Sequence, residues 1–424
     1  MCLVFNIVGI AVFLGIAFVL SKKKKKIPWI SVGLIIALNL ILSWFFLTIP
    51  AGQAAIQAAT DGFTALVNAS YDGVRFAFGD AFNSIPGLQD ALNGAENVKA
   101  FVFFASALLP VIVIVPLFDI LTYFGILPFI IKWVGKAIAV VTRRPKFEAF
   151  FAIEMMFLGN TEVIAASRFQ IVKLSKQRCL TIAMMSMSCV TASLIGAYTQ
   201  MMPGKFILTA IPLNVLNALM VAAILNPYDV SKKDDEIATL YEKGQKKEPF
   251  FSYLGNSILN SGKLVLIIVA NVIAFVGLAS IINLLLGLFN PLIHMTGLQW
   301  DLSLENLLGL VMYIPACLLG LPIGDANTME LAKYMGTKLV TNEFVVMGQL
   351  QPIIADFGNH FQCVTTVFLT SFANFSTVGM IIGCFKGMVG DDENDHISKN
   401  VLHMFVAGIL VSCLSAAIAG LWVW

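Results

Sequence analysis

Two apolar arms, each too short to cross a bilayer, set the first constraint on this chain. The first climbs from a basic flank (Arg143, Arg144, Lys146) to Gly159, Asn160, Thr161 and Glu162; the second leads on to another basic flank (Lys173, Lys176, Arg178). Each arm holds roughly 12 to 14 residues, whereas a spanning helix needs about 20. Positive charge at both ends predicts a re-entrant helical hairpin that opens to the cytoplasm. Its tip holds Asn160, Thr161 and Glu162 deep in the membrane, beside the free backbone donors of a half-helix N-terminus. An ionised Glu at that depth costs about 2.5–3.5 kcal/mol on insertion scales, which marks the tip as a functional site.

A soluble amphipathic hairpin is the alternative, and composition argues against it. Hydrophobic residues make up 58% of the chain and charged residues 12%, where a soluble protein carries about 25% charge. The chain is therefore expected to be an all-α polytopic membrane protein. Its net charge of +2 comes from short basic clusters between apolar runs, which implies no nucleic-acid partner. The 7 cysteines lie in or beside apolar segments without a CxxC pair, and His294, His360, His396 and His403 are scattered. That pattern predicts no structural metal, disulfide framework or cofactor.

Taken in order, residues 1–20 are apolar and are followed by lysines at 22–26. The order of apolar run and charge predicts a membrane helix with its N-terminus outside and residues 22–26 in the cytoplasm. Residues 27–49 return outward, and residues 50–98, with Asp61, Asp72, Asp80, Asp90 and Glu96, read as an external segment with an interfacial amphipathic helix. Residues 100–131 form an inward span carrying Asp119, either a proton site or a buried structural acid. These elements, 1–131, are grouped as an N-terminal scaffold. After the hairpin, residues 179–199 cross outward with Ser186, Ser188, Thr191 and Ser193 at mid-span. Small polar residues there either pack helices together or break the span to line a cavity; a position directly after a hairpin favours a break. Residues 205–226 return inward and close the first repeat, 145–226. A hydrophilic linker, 227–262, and a scaffold span, 263–290, follow.

The second half repeats this order. Residues 305–321 climb to a break at Gly320, Leu321, Pro322, Ile323, Gly324 and Asp325, and the chain returns from Leu331 to Leu350 through Thr341, Asn342, Glu343 and Phe344. A second hairpin is predicted here, opening outward. The span at 361–385 is interrupted near Thr370, and residues 400–424 form the last helix, which ends outside at Trp422 and Trp424. Hairpin, broken span and span thus occur twice, in 145–226 and 303–424. This is an inverted repeat of the kind that places a transport site at the membrane midplane.

Gly159, Asn160, Thr161 and Glu162, with Thr341, Asn342, Glu343 and Phe344, and with Ser371, Phe372, Ala373, Asn374, Phe375 and Ser376, resemble the motifs of the concentrative nucleoside transporters. The resemblance extends to Gly196, Ala197 and Tyr198 and to Asn226, Pro227 and Tyr228, and so covers nearly the whole chain. It implies a homotrimer in the cytoplasmic membrane, each protomer with about eight transmembrane helices and two re-entrant hairpins. A transport domain would move against a scaffold by alternating access. By similarity, Asn160, Thr161 and Glu162 face the base, while Glu343, Asn374 and Thr377 face the ribose. Leu194 falls where the family lines the base pocket. Asn160 stands where many members carry Gln.

The residue types fit a neutral, hydroxyl-rich substrate. Carboxylates accept from ribose hydroxyls and base N–H groups, and Phe372 offers an apolar or stacking wall. For the coupling ion, sodium-coupled relatives take side-chain oxygens from the positions that match Met155 and Cys189 here. Sulfur ligates a hard cation poorly, so the resemblance with these departures points to proton symport, with Glu154, Glu162 and Glu343 as ion-coupling candidates. Sodium remains the alternative, with Ser186 or Ser188 supplying the missing oxygen. Two other classes stand beside a symporter. A channel would conduct ions without saturable uptake, and an intramembrane aspartyl protease would need Asp119 and Asp325 to face one another and share a proton.

Overall fold

The structure, a computed structural model, describes residues 2–78, 103–159, 163–164, 166–188, 190–231, 235, 248–297, 300–386 and 388–424. All regular structure among them is helical. In chain order the N-terminal part comprises α1 (Cys2–Val19), α2 (Trp29–Thr48) and α3 (Pro50–Phe78). After a π-helical turn (Phe104–Leu108) come α4 (Val111–Tyr123) and α5 (Ile126–Thr142). The first repeat follows as α6 (Lys146–Phe157), α7 (Arg168–Ile171), α8 (Lys176–Ser186), a 3-10 turn (Ala192–Leu194), α9 (Ile195–Thr199) and α10 (Gly204–Leu225). Then come α11 (Phe250–Gly287) and α12 (Asn290–Met295). The second repeat comprises α13 (Leu304–Leu318), α14 (Ala326–Val340), α15 (Glu343–Leu350), α16 (Asn359–Leu369), α17 (Phe375–Lys386), α18 (Asp391–Ser398) and α19 (Val401–Gly420).

The starts and stops follow from local chemistry. Pro145, Pro203 and Pro249 immediately precede α6, α10 and α11, where a missing N–H costs nothing. Ser303, Asp325 and Asn342 cap α13, α14 and α15, each side-chain oxygen accepting from a first-turn backbone N–H. The six helices long and apolar enough to cross a membrane are Cys2–Val19, Trp29–Thr48, Phe104–Tyr123, Gly204–Leu225, Phe250–Gly287 and Val401–Gly420, among the described residues. Two broken spans join them, α8 with α9 and α16 with α17, each interrupted where polar residues were expected to break it.

α10 is the hub. Nearly all its side chains are buried, and it packs on α2, α3, α6, α16 and α19. Its two asparagines hold neighbours by hydrogen bonds: Asn217 accepts from Asn39 (2.9 Å) and donates to Ser415 (2.9 Å), and Asn214 donates to the Thr370 carbonyl. α11 lies at the other extreme, with Leu259, Leu266, Ile273 and Leu284 exposed along its length. Such a surface suits lipid or a neighbouring subunit.

Several boundaries differ from the sequence reading. The expected span 100–131 ends at Tyr123: Gly125 takes a left-handed conformation (φ 81°), and the chain turns into the separate helix α5, which packs against α6. The scaffold span begins at Phe250 rather than 263, so the linker ends at Pro249. The break at residues 320–325 lies between two antiparallel helices, α13 and α14, and the chain breaks again at Thr341 and Asn342 before α15. α1 and α2, grouped with the scaffold from sequence, pack on α19 and α10. Of the expected external segment, residues 50–78 are the helix α3, whose face of Ile56, Val67, Tyr71 and Val74 is buried; Asp80, Asp90 and Glu96 lie outside the described residues.

Candidate functional site

The second repeat brings three of the candidate residues into one hydrogen-bonded group. Asn342 caps α15, which fixes Glu343 at the first turn and turns its side chain into the interior, where it is buried. One Glu343 carboxylate oxygen accepts from the Tyr198 hydroxyl at 3.2 Å, and the other accepts from Asn374 Nδ2 at 3.4 Å. Asn374 is held in turn, because its Oδ1 accepts from the Thr377 backbone N–H (2.9 Å) and the Thr377 hydroxyl (3.1 Å) at the start of α17. Tyr198 comes from α9 beyond the first break, and its ring lies tilted against Phe344, centroids 5.0 Å apart. The two breaks and the turn between α14 and α15 therefore converge on one carboxylate.

Both bonds to Glu343 are long for a charged acceptor, which usually holds N–H and O–H donors at 2.9 Å or less. The carboxylate keeps lone pairs for a ligand with vicinal hydroxyls. Phe372, half-buried, and Leu194, buried in the turn before α9, stand at the two breaks. Of the three residues expected to face a base, Asn160, Thr161 and Glu162, all lie outside the described residues, as does Cys189.

Glu154 is placed differently. It is buried in α6 and accepts from the Ser167 hydroxyl at 2.7 Å, which pins the two arms of the first hairpin together. Met155 beside it is buried. Asp325 caps α14 at Asn327 N (2.7 Å), and Asp119 accepts from Ser257 of α11. Both acids thus have structural partners on different elements. Two residues were not singled out as site candidates. Tyr198 was read only as part of a motif, and a polar tip on a buried aromatic was its signal. Lys338, fully buried in α14, was signalled by the rule that an intramembrane charge is functional by default.

Comparison with known proteins gives a consistent picture. Residues 8–81 match the family model described as Na+ dependent nucleoside transporter N-terminus, and residues 206–420 match its C-terminus. The chain is 44% identical over 419 residues to the purine nucleoside transport protein NupG of Bacillus subtilis, covering 99% of both chains. It is 26% identical to the nucleoside permease NupC of Helicobacter pylori, over 99% of this chain and 97% of the relative. Among solved structures it resembles CNTnw in an inward-facing substrate-bound state (TM-score 0.86, 23% identity, 100% of this chain and 98% of the other). A variant of CNTnw in an outward-facing state gives a TM-score of 0.87 at 22% identity, over 100% of this chain and 98% of the other.

Proposed function

Because the chain belongs to the concentrative nucleoside transporter family, we propose that it takes up nucleosides, purine nucleosides among them, across the cytoplasmic membrane by proton symport with alternating access. The observation that carries this reading is the Glu343, Asn374 and Thr377 group. It offers a neutral sugar two charged acceptor oxygens, an amide and a hydroxyl, and among the described residues no ion pair that the sugar would have to break. Asn160, Thr161 and Glu162 are assigned to the base by resemblance, with Leu194 and Phe372 as apolar walls. The purine preference is taken from the Bacillus subtilis relative.

The re-entrant reading is supported by arm length. α6 has 12 residues, α14 has 15 and α15 has 8, each below the roughly 20 needed to cross. In this topology residues 22–26 face the cytoplasm and both termini lie outside. The exposed apolar length of α11 accommodates the lipid and subunit contacts of a homotrimer.

Proton coupling is preferred over sodium on chemistry. Met155 brings a thioether and Cys189 a thiol to positions where relatives use oxygen, and a hard cation needs oxygen. Glu154, Glu162 and Glu343 are carboxyls that can carry a proton through the dry part of a cycle. Vesicle uptake of labelled nucleoside tests this directly. An inward proton gradient with choline replacing sodium should drive accumulation, and a protonophore should collapse it. Strict sodium dependence with no response to the proton gradient would refute the coupling, and saturable uptake of nothing but ions would refute the substrate.

A further inference from the structure

Lys338 is fully buried on α14, and its ammonium group is completely occupied. It donates to the Phe368 carbonyl oxygen (2.8 Å), the Ser371 hydroxyl (2.6 Å) and the Ser412 hydroxyl (3.5 Å), and it lies 4.6 Å from the centroid of the Phe368 ring. An ammonium has three donors, and three oxygens, from α16, from the break that follows it and from α19, meet them. Ser371 and Ser412 are themselves 2.6 Å apart, and Ser412 donates on to the Gly408 carbonyl (3.0 Å). The acceptors show what the charge is doing. α16 ends at Leu369, so Phe368 offers one of the last-turn carbonyls that a helix leaves without a partner, at the negative end of its dipole. Beyond Leu369 the chain runs irregularly to Asn374, the residue that faces Glu343.

Among the described residues the first repeat shows no such arrangement. α8 and α16 are both 11 residues long, and the second residue past each end is a serine, Ser188 and Ser371. Ser371 meets the ammonium, whereas the Ser188 hydroxyl is buried without a hydrogen-bond partner. The residue at the same distance before Glu162 as Lys338 is before Glu343 is Phe157.

We propose that Lys338 is a tethered cation and a positioning residue for nucleoside binding: its ammonium neutralises the broken end of α16 and locks the break to α14 and α19, so that Asn374 is held opposite Glu343. The second repeat thus carries a cation of its own at the break, one that neither leaves nor is transported. Removing it should let residues 370–374 relax and disorganise the sugar side of the site without touching the base side.

The inference rests on the nucleoside-transport reading, so the test pairs uptake with a measurement that needs no substrate. Wild type, Lys338→Met and Lys338→Ala are compared in proteoliposomes and by amide hydrogen exchange. Lys338→Met keeps most of the apolar stem and removes the charge. It should raise KM for nucleoside by about tenfold or more, with a smaller effect on maximal rate, and should speed exchange across 370–374. Lys338→Ala should regain uptake when methylammonium is added, an effect that wild type does not show and that a purely structural role would not produce. If Lys338→Met does not fold, Ser371→Ala removes one acceptor while leaving the lysine in place, and it should raise KM several-fold. Wild-type KM together with wild-type exchange in Lys338→Met, or an unchanged KM in Ser371→Ala where that variant stands in, overturns the proposal. Absence of uptake by wild type would instead defeat the functional reading, and faster exchange in Lys338→Met would still support the clamp.

Discussion

Replacing Glu343 by Gln separates substrate binding from fold. In the native site the two carboxylate oxygens each hold one donor, Tyr198 Oη at 3.2 Å and Asn374 Nδ2 at 3.4 Å. A glutamine keeps the shape and one acceptor oxygen. Asn374 is fixed by its bonds to Thr377, so the glutamine oxygen should turn to it and the new NH2 group to Tyr198, whose hydroxyl rotates to accept. The internal network survives, and expression and assembly should too. What disappears is the second charged acceptor for the sugar. A hydrogen bond to a charged group contributes about 1.5–3 kcal/mol in a dry site, which corresponds to a roughly ten- to hundred-fold loss of affinity. Uptake of labelled nucleoside should fall accordingly, and titration calorimetry on purified protein should show the same factor in Kd. Normal KM and Kd for Glu343→Gln would remove Glu343 from the site and refute this reading of its long hydrogen bonds.

Other consequences can be measured separately. Arg178 and Glu148 form a buried two-pronged ion pair (2.7 and 2.8 Å), to which Tyr228 adds a third bond at 2.7 Å; Arg178→Met leaves Glu148 buried without its cation, which should cost about 3–5 kcal/mol and lower the Tm in detergent, and an unchanged Tm would contradict it. A Cβ on Gly336 would stand 2.4 Å from Leu308 Cβ, so Gly336→Ala should force α13 and α14 apart and cost about 1–3 kcal/mol. Gly262→Ala, with nothing within 4 Å, serves as the neutral control, and equal stability of the two variants would defeat the argument. A cysteine at Thr161, in a background with the native cysteines replaced, should be shielded from hydrophilic thiol reagents by bound nucleoside, whereas one at Lys24 should be labelled from inside regardless. Equal labelling at Thr161 with and without nucleoside would count against a tip that closes on substrate.

Much of this was legible in the sequence because a polar run inside an apolar span has few explanations. The break after Leu369 follows from that signal, whereas the grouping of Asn374 and Thr377 with Glu343 came from the family resemblance, and the three are hydrogen-bonded together. The extent of the second hairpin was not legible, because its sequence carries two good helix starts, Asp325 and Asn342, and both act as caps. What distinguishes the two breaks is tertiary: α13 and α14 lie close enough for Gly309 to meet Lys333 and Gly336 to meet Leu308, a contact that no local pattern announces. α11 begins early for a related reason. Its first turns, with Ser252, Asn256, Ser257 and Asn260, read as linker by hydropathy, yet Ser257 is bonded to Asp119 of α4. Lys338 escapes a motif-led reading because it precedes the acidic motif and its acceptors lie on distant segments.

The side-chain hydrogen bonds also limit where an alternating-access motion can run. One bonded group joins α2, α10 and α19 through Asn39, Asn217 and Ser415, and takes in the second break through Asn214 and Thr370. Lys338 adds α14 to the same group through Ser371 and Ser412. A second group joins α4 to α11 through Asp119 and Ser257, and α11 to the start of α13 through Asn283 and Glu305. Among the described residues no side-chain hydrogen bond links α11 to α8, α10, α16 or α19. Leaving a buried polar group unpaired costs about 1–3 kcal/mol, whereas apolar surfaces can slide past one another and repack. A moving boundary is therefore cheapest where α11 faces the first group, with the Asn283–Glu305 contact to α13 as the polar link it has to cross, so α2 should travel with the repeats, and α1, packed on α19, should go with it. The stationary part should then centre on α4 and α11, of which α11 turns a long apolar face outward.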